Sequence, residues 1–376
     1  MAFSSISLST SKISPSISSK FSKSSNNLIF TPSLIKACKS SSSNLPRTTT
    51  IGFFLVIILF YIKLLYHKSK LIETMSKALY IDGTGVFFRG YYGLPPLKNS
   101  KGQYLQGIIG FFNILFRTLE TYNPDYFAIC FDRSEDTVRK QEYPEYKANR
   151  SKAPDDLYQQ MVILKEILIN SNLNYFDKAG YEADDIIASL CKDNQDKLDH
   201  QYVYSSDLDL LQLSNSKTSI IKPQNGSKED IIFTPASIMQ KYELTPQQII
   251  DYKGLHGDNS DNLKGIPKVG KKTATKLLKE FQSLENIYQH LDTMTPKMQE
   301  NFIQNKDQAF LCKKLATLIT DLNPAQLNKL EYSNIKADTL QSYFTKLELN
   351  KAKTLLDRLS KTHPEIIQTQ KQASLF

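Results

Sequence analysis

The chain is poor in the residues that build soft-metal or disulfide chemistry. Its four cysteines, Cys38, Cys130, Cys191 and Cys312, are scattered, with no CxxC pair and no disulfide spacing. That argues against a disulfide framework and for reduced thiols in an intracellular setting. The five histidines, His67, His200, His256, His290 and His363, are equally dispersed, which argues against a His/Cys zinc site. A metal bound by this chain therefore takes oxygen ligands, which points to Mg²⁺ or Mn²⁺. Acids are missing from one region: the first fifty residues contain no Asp or Glu. Long apolar runs are scarce. The one candidate, Ile51–Tyr66, has sixteen residues and carries Lys63, short of the roughly 20 that a bilayer span needs.

These absences divide the chain of 376 residues. Residues 1–50 are Ser-rich and read as an organellar transit peptide, with Lys in place of most of the usual Arg. Residues 51–74 read as a membrane anchor, Lys63 snorkelling to the interface, or as a buried or artefactual stretch. Plastid or mitochondrion is the expected compartment if the leader is genuine. Cytoplasm or nucleoid is expected if Met75 is the native start, and single-pass anchoring if Ile51–Tyr66 spans. The formal charge of +9 misleads. Met1 to Thr74 holds nine cations and one acid, so the rest balances thirty-eight cations against thirty-seven acids. Any basic footprint in the main body must be local.

From Ala78 onward short apolar runs alternate with amphipathic segments. "ALYID" (Ala78–Asp82), "YFAICFD" (Tyr126–Asp132) and "YVYSSD" (Tyr202–Asp207) each end in Asp. Between and around them Gly107–Thr121, Asp155–Asn170 and Ala183–Leu198 have helical spacing. The alternation predicts an α/β fold with a largely parallel central sheet and flanking helices. In such sheets the site lies beyond the carboxyl ends of the strands, where Asp82, Asp132 and Asp207 fall.

Other acids join them. "YEADDIIASL" places Glu182, Asp184 and Asp185 at the head of a helix that faces the same edge. Asp209 follows Asp207 by two, and "GDNSDN" adds Asp258 and Asp261. Each acid alone reads as a helix cap or turn former. Together, nine carboxylates converging on one cleft need a cation to neutralise them. A two-metal site does this while positioning the attacking and leaving oxygens of a phosphodiester.

The motifs "YIDGTGVFFRGYYGLPPL", "FDRSEDTVRKQEYPEYKANR", "GYEADDIIASL", "SSDLDLLQL" and "GLHGDNSDNLKGIPKVGKKTATKLL" stand in an order that resembles a known family. From Met75 to about Asn350 the chain resembles the 5′→3′ exonuclease domain of bacterial DNA polymerase I and, more distantly, the flap endonucleases. No polymerase segment follows, so it resembles the free-standing form. The resemblance implies a PIN-like 5′-nuclease fold over 75–245 with a helical arch at about 133–160. It implies a helical DNA-binding domain of helix–hairpin–helix type over 246–350, and a tail over 351–376. It also implies ligation of two Mg²⁺ or Mn²⁺, directly or through water, by Asp82, Asp132, Glu182, Asp184, Asp185, Asp207, Asp209, Asp258 and Asp261.

The segment after Asp132 is dense in charge, with Arg133, Arg139, Lys140, Lys147, Arg150 and Lys152 interleaved with Tyr143 and Tyr146. It reads either as a solvated loop or as a gate for a single strand, cations on phosphates and rings on bases. The resemblance favours the gate, with Arg139, Tyr146, Lys147 and Arg150 on DNA. It makes Lys147 and Arg150 stabilisers of charge on the scissile phosphate, and puts Arg89 near that phosphate.

"LKGIPKVGKKTATKLLKEF" (Leu263–Phe281) is a second basic element. It reads as a lysine-rich solvated helix face, or as two short helices about a Gly-containing turn that grips phosphates without reading bases. Gly265, Lys268, Gly270, Lys271, Lys272 and Lys276 are its candidate DNA-binding residues. The resemblance adds a monovalent cation held by backbone carbonyls. Lys264 and Lys268 depart from the family, where Pro and Gly are common.

The chain ends "QASLF", which resembles a sliding-clamp docking peptide through Gln372, Leu375 and Phe376. The expected function is a metal-dependent, structure-specific 5′ nuclease acting on DNA with a 5′ flap or 5′ end, RNA primer–DNA hybrids included, in primer removal and repair. The alternatives are a non-catalytic DNA-junction-binding protein, a PIN-type ribonuclease, and a membrane-anchored interaction protein.

Overall fold

The order of the strands follows from how each is buried. In the computed structural model, which describes residues 75–133, 136–224 and 229–366, the first strand, β1 (Lys77–Asp82), lies inside a six-stranded sheet. Leu79 and Ile81 point to one face and Ala78 and Tyr80 to the other, all essentially inaccessible. A strand covered on both faces belongs to a parallel sheet flanked by helices. β1 pairs in parallel with β2 (Tyr126–Cys130) on one side and β4 (His200–Tyr204) on the other. β3 (Tyr175–Phe176) extends the sheet beyond β2, and β5 (Thr218–Lys222) beyond β4. β6 (Ile231–Phe233) closes the far edge antiparallel to β5. The order β3-β2-β1-β4-β5-β6 reverses direction between β1 and β4, and a crevice opens there at the carboxyl ends.

The connections are helical. α1 (Gly83–Gly93) and α2 (Gln106–Tyr122) join β1 to β2. α2 buries Ile108, Phe111, Phe112, Leu115, Phe116 and Leu119, a helical stripe, and stops at Asn123 in the left-handed region. α1 and α2 cross at Gly90 and Gly110. A Cβ on Gly110 would sit 2.4 Å from the Gly90 Cα. α3 (Val138–Glu142) and α4 (Asp155–Asn170) lead to β3, and α5 (Ala183–Asn194) to β4.

The second half is mainly helical: α6 (Pro235–Tyr242), α7 (Gln248–His256), α8 (Lys271–Phe281), α9 (Leu284–Gln289), α10 (Pro296–Gln304) and α11 (Lys306–Ala316). A small antiparallel hairpin, β7 (Gly257–Asp258) with β8 (Leu263–Lys264), separates α7 from α8. The stretch Leu263–Phe281 therefore holds one helix and not two; the first helix of the helix–hairpin–helix is α7, upstream. Gly265 serves that turn. Its Cβ would lie 2.3 Å from the Gly257 amide nitrogen, so the two backbones touch. Finally α12 (Ala337–Lys346) and α13 (Asn350–Thr362) return to the α/β face, where Phe344 meets the Phe112 ring edge-on at 4.8 Å. α13 begins where the sequence reading placed a tail.

The described residues all belong to one compact unit. The Ser-rich leader, the apolar segment Ile51–Tyr66 and the terminal Gln372, Leu375 and Phe376 lie outside the described residues.

Candidate active site

Asp82 ends β1 and caps α1: the Gly85 amide donates to its Oδ1 at 2.8 Å, and the Ser205 hydroxyl to its Oδ2 at 2.8 Å. Ser205, just past β4, also accepts from the Asp207 amide at 3.0 Å. Asp132 follows β2, and its Oδ1 accepts from the Ala183 amide at the head of α5 at 2.9 Å. The strand ends and the helix start are thus stitched together. Burial pushes the Asp82 carboxyl up to about 6, and the charge of Asp132 adds to it. Asp184 is raised well above the ordinary range by burial and then by the charges of Asp207, Asp82 and Asp132. Four like charges facing one another in partial burial favour a cation strongly.

A second group lies alongside. Carboxylate oxygens of Asp209, Asp258 and Asp261 fall within 4.8 Å of one another. The hairpin between α7 and α8 carries two of these acids, so the helical half completes the site. Glu182, Asp184, Asp207, Asp209 and Asp261 line one small recess with Arg139, Tyr146 and Lys147. Acids from both groups therefore share one place. Their hard oxygens and close spacing suit Mg²⁺ or Mn²⁺.

The site also holds cations. Lys147 Nζ donates to Glu182 Oε1 at 2.7 Å, and Arg150 Nη2 to Asp261 Oδ1 at 2.8 Å. Lys147 sits at φ 57°, a strained setting for a lysine. Burial alone would lower its pKa, but Glu182 and Asp261 outweigh that and raise it. Arg89 lies in a separate cleft of about 1160 Å³ with Gly85, Tyr204 and Ser206; its guanidinium reaches the Gln224 carbonyl.

Three expected roles differ from what the fold builds. Arg139, expected on DNA, is only 5% exposed and points inward to Asp185. Tyr146, expected to stack on bases, is buried, its hydroxyl 3.2 Å from Glu182 Oε2 and 3.4 Å from Asp261 Oδ2. Asp185, expected on metal, is fully buried with both oxygens held by Arg139 at 2.6 Å. Lys268, Lys271, Lys272 and Lys276 are all exposed on the hairpin and α8, with Gly270 as the cap of that helix. Lys268 holds φ 64°, which explains why glycine suits that position.

One functional residue had no signal in the sequence. Lys253 on α7 is 9% exposed, and its ammonium contacts Asp209 and, at 2.6 Å, Asp258 Oδ2. Burial would raise the Asp258 pKa, yet Lys253 and two bonds from Ser260 lower it. The ammonium stands where a cation is wanted.

Family models match two stretches: the N-terminal resolvase-like domain of 5′-3′ exonuclease over 77–243, and its C-terminal SAM fold over 244–338. The chain is 38% identical over 302 residues to a 5′-3′ exonuclease of Aquifex aeolicus, covering 80% of this chain and all of that one. It is 38% identical over 297 residues to DNA polymerase I of Bacillus subtilis, covering 78% of this chain and 33% of that one. The chain thus spans about a third of the polymerases it matches. Among solved structures, the phage T5 5′-exonuclease with bound zinc aligns at TM-score 0.55 and 21% identity, over 75% of this chain and 99% of that one, a likeness of fold. The localisation expectations are corrected here. The relatives are bacterial proteins, which leaves plastid and mitochondrion without support. Among the described residues no helix is long and apolar enough to cross a membrane; Ile51–Tyr66 lies outside them, and the single-pass anchor there is likewise without support.

Proposed function

The chain belongs to the 5′-3′ exonuclease family, and from that premise we propose that it hydrolyses phosphodiester bonds of DNA at a 5′ flap or 5′ end. The observation that supports this most is the meeting of acids from both halves of the fold at the point where the sheet reverses. Divalent ions, Mg²⁺ or Mn²⁺, neutralise the phosphate and make water a nucleophile when held there. Asp82, Asp132, Asp184 and Asp207 would hold one on the sheet side. Asp209, Asp258 and Asp261 would hold the other on the hairpin side.

The remaining residues handle the substrate. Lys147 and Arg150 rest on Glu182 and Asp261 at the mouth of the site, as donors for the non-bridging oxygens of a phosphate. Arg89 serves the same strand from its cleft. Exposed Lys268, Lys271, Lys272 and Lys276 grip duplex backbone, a contact that carries no sequence information. A monovalent cation at the hairpin carbonyls belongs to the same proposal. The products are a 5′-phosphate and a 3′-hydroxyl, which suits removal of RNA primers and displaced flaps. Docking on a sliding clamp through Gln372, Leu375 and Phe376 is a separate proposal; absence of binding by the terminal peptide at high micromolar concentration ends it.

The test is a 5′-labelled flap duplex incubated with the full chain, with Mg²⁺ and with EDTA. Cleavage should require Mg²⁺. Asp207→Asn should abolish it and keep DNA binding. Normal turnover by that variant overturns the site, and binding without any cleavage by the natural protein favours the junction-binding reading.

A further inference from the structure

Arg139 leaves the short arch helix α3 and turns into the protein. Its five N–H donors are all used. Nε donates to the Leu315 carbonyl at 2.8 Å. Nη1 donates to Asp185 Oδ2 at 2.6 Å and lies 3.4 Å from Glu182 Oε2. Nη2 donates to Asp185 Oδ1 at 2.6 Å and to the Thr317 carbonyl at 3.1 Å. Asp185 is filled as well, its Oδ1 accepting from the Ile319 amide at 2.9 Å and its Oδ2 from the Glu182 amide at 3.2 Å. A guanidinium with no free donor cannot take a phosphate, and a carboxylate whose lone pairs are occupied is poorly placed to take a metal.

The pair joins three parts of the chain: the foot of the arch, the head of α5 that carries Glu182 and Asp184, and the segment after α11. Gln212 holds that last segment from the sheet side, donating to the Ala316 carbonyl at 3.0 Å and accepting from the Leu318 amide at 3.1 Å. α3 has only five residues, too few to be stable alone. Its orientation is set by where Arg139 is tied. Beyond it come Tyr146, Lys147 and Arg150, which reach Glu182 and Asp261.

We infer that Arg139 and Asp185 form a buried lock that sets the arch against the active site, so that Arg139 is a positioning residue for Lys147 and Arg150 and neither member of the pair touches DNA or metal. The inference rests on the nuclease reading of the site. It separates Arg139 and Asp185 from the residues of similar charge beside them in sequence.

The experiment uses the full chain, the labelled flap duplex and the variants Arg139→Lys, Arg139→Gln, Asp185→Asn and Arg139→Met with Asp185→Leu. Binding without metal is followed against salt. Arg139→Gln added to the double variant Lys147→Ala with Arg150→Ala should leave that variant's slope unchanged, whereas Lys271→Ala should lower it by about 0.9, as one lost phosphate contact does. Single-turnover cleavage by Arg139→Lys should fall at least a hundredfold while KM shifts less than threefold. Proteolysis between residues 133 and 154 should quicken in step with that loss. Manganese counted by electron paramagnetic resonance should keep its stoichiometry in Asp185→Asn. The double apolar variant should refold and resist heat as the natural protein does, keeping the arch in view if the single changes unfold it. A further fall in slope when Arg139→Gln is added to the Lys147→Ala, Arg150→Ala variant, a lost manganese in Asp185→Asn, or unchanged cleavage by Arg139→Lys each overturns the lock. If the natural protein cleaves nothing, the nuclease reading fails instead, and proteolysis, salt slope and manganese count still judge the pair.

Discussion

Replacing Asp82 with Asn removes a negative charge where the fold most resists one. The Asp82 carboxyl is held at about 6 against an ordinary 3.8, by burial first and by Asp132 second. A gap of about two units is worth at most about 3 kcal/mol. The folded protein binds this proton more tightly than the unfolded chain. Metal-free stability is therefore free of this penalty below about pH 4, declines as pH rises through about 6, and carries the full penalty above that. Asn retains the oxygen that caps α1 at the Gly85 amide, and Asn is as good a cap as Asp. Asp82→Asn should thus stabilise the protein in EDTA at pH 7.5 by about 1–3 kcal/mol while abolishing cleavage. For a folded unit of about 300 residues that is a rise of roughly 2–5 °C in Tm. The assay is a thermal scan of both proteins in EDTA from pH 4 to 8, repeated with saturating Mn²⁺. The advantage should vanish at the acid end and with the metal. A variant that melts at or below the natural protein at pH 7.5 without metal refutes the argument from crowded charge.

Three further changes probe other parts of the reasoning. Lys253→Met should make the metal-free protein less stable by about 3–5 kcal/mol, since it strands buried carboxylates. It should also tighten Mn²⁺ binding about tenfold in calorimetry without DNA, because the competing ammonium is gone; weaker binding contradicts that competition. Lys268→Gly should raise stability to urea by about 0.5–1 kcal/mol through relief of the φ of 64°, and lower the salt slope of DNA binding by about 0.9. Gly110→Ala should cost about 1–3 kcal/mol, because the new methyl needs space occupied by Gly90, and an unchanged denaturation midpoint would show that α1 and α2 separate freely.

Much of this fold is legible in the sequence. Strand ends carry a local mark: an apolar run buried on both faces, then an Asp where the chain must turn. β1, β2 and β4 follow that mark, and Asp155–Asn170 is a helix over the predicted range. β3 has two residues and β6 three, too short for a period to show, and both sit toward the edges of the sheet, where neighbours decide pairing. The helix–hairpin–helix was displaced by one element because "GLHGDNSDNLKG" reads as a turn. The tiny β7–β8 ladder depends on Gly257 meeting Gly265, a contact across the turn with no periodic signature. Arg139 stands in a stretch full of charge and has the look of solvent. Only Asp185, Leu315 and Thr317, from remote segments, reveal that it is inside.

The acids read from sequence better than the cations for a physical reason. A carboxylate on a short side chain works where its backbone is placed, at a strand end or a helix head. A lysine or arginine works several bonds away, where the sequence says little. The described ion pairs sort the nine acids accordingly. Arg139 meets Asp185, Lys147 meets Glu182, Arg150 meets Asp261, and Lys253 meets Asp209 and Asp258. No ion pair among the described residues reaches Asp82, Asp132, Asp184 or Asp207. Among the described residues the ion pairs thus reach the acids nearest the arch and hairpin and not those at the sheet edge, and it is there that Asp82 and Asp184 are driven toward their neutral forms. A divalent ion at the sheet edge relieves repulsion without breaking an ion pair of the described residues. One at the hairpin must first move Lys253. The two halves of the site are therefore unequal before any substrate arrives, and the inequality comes from where four long side chains end.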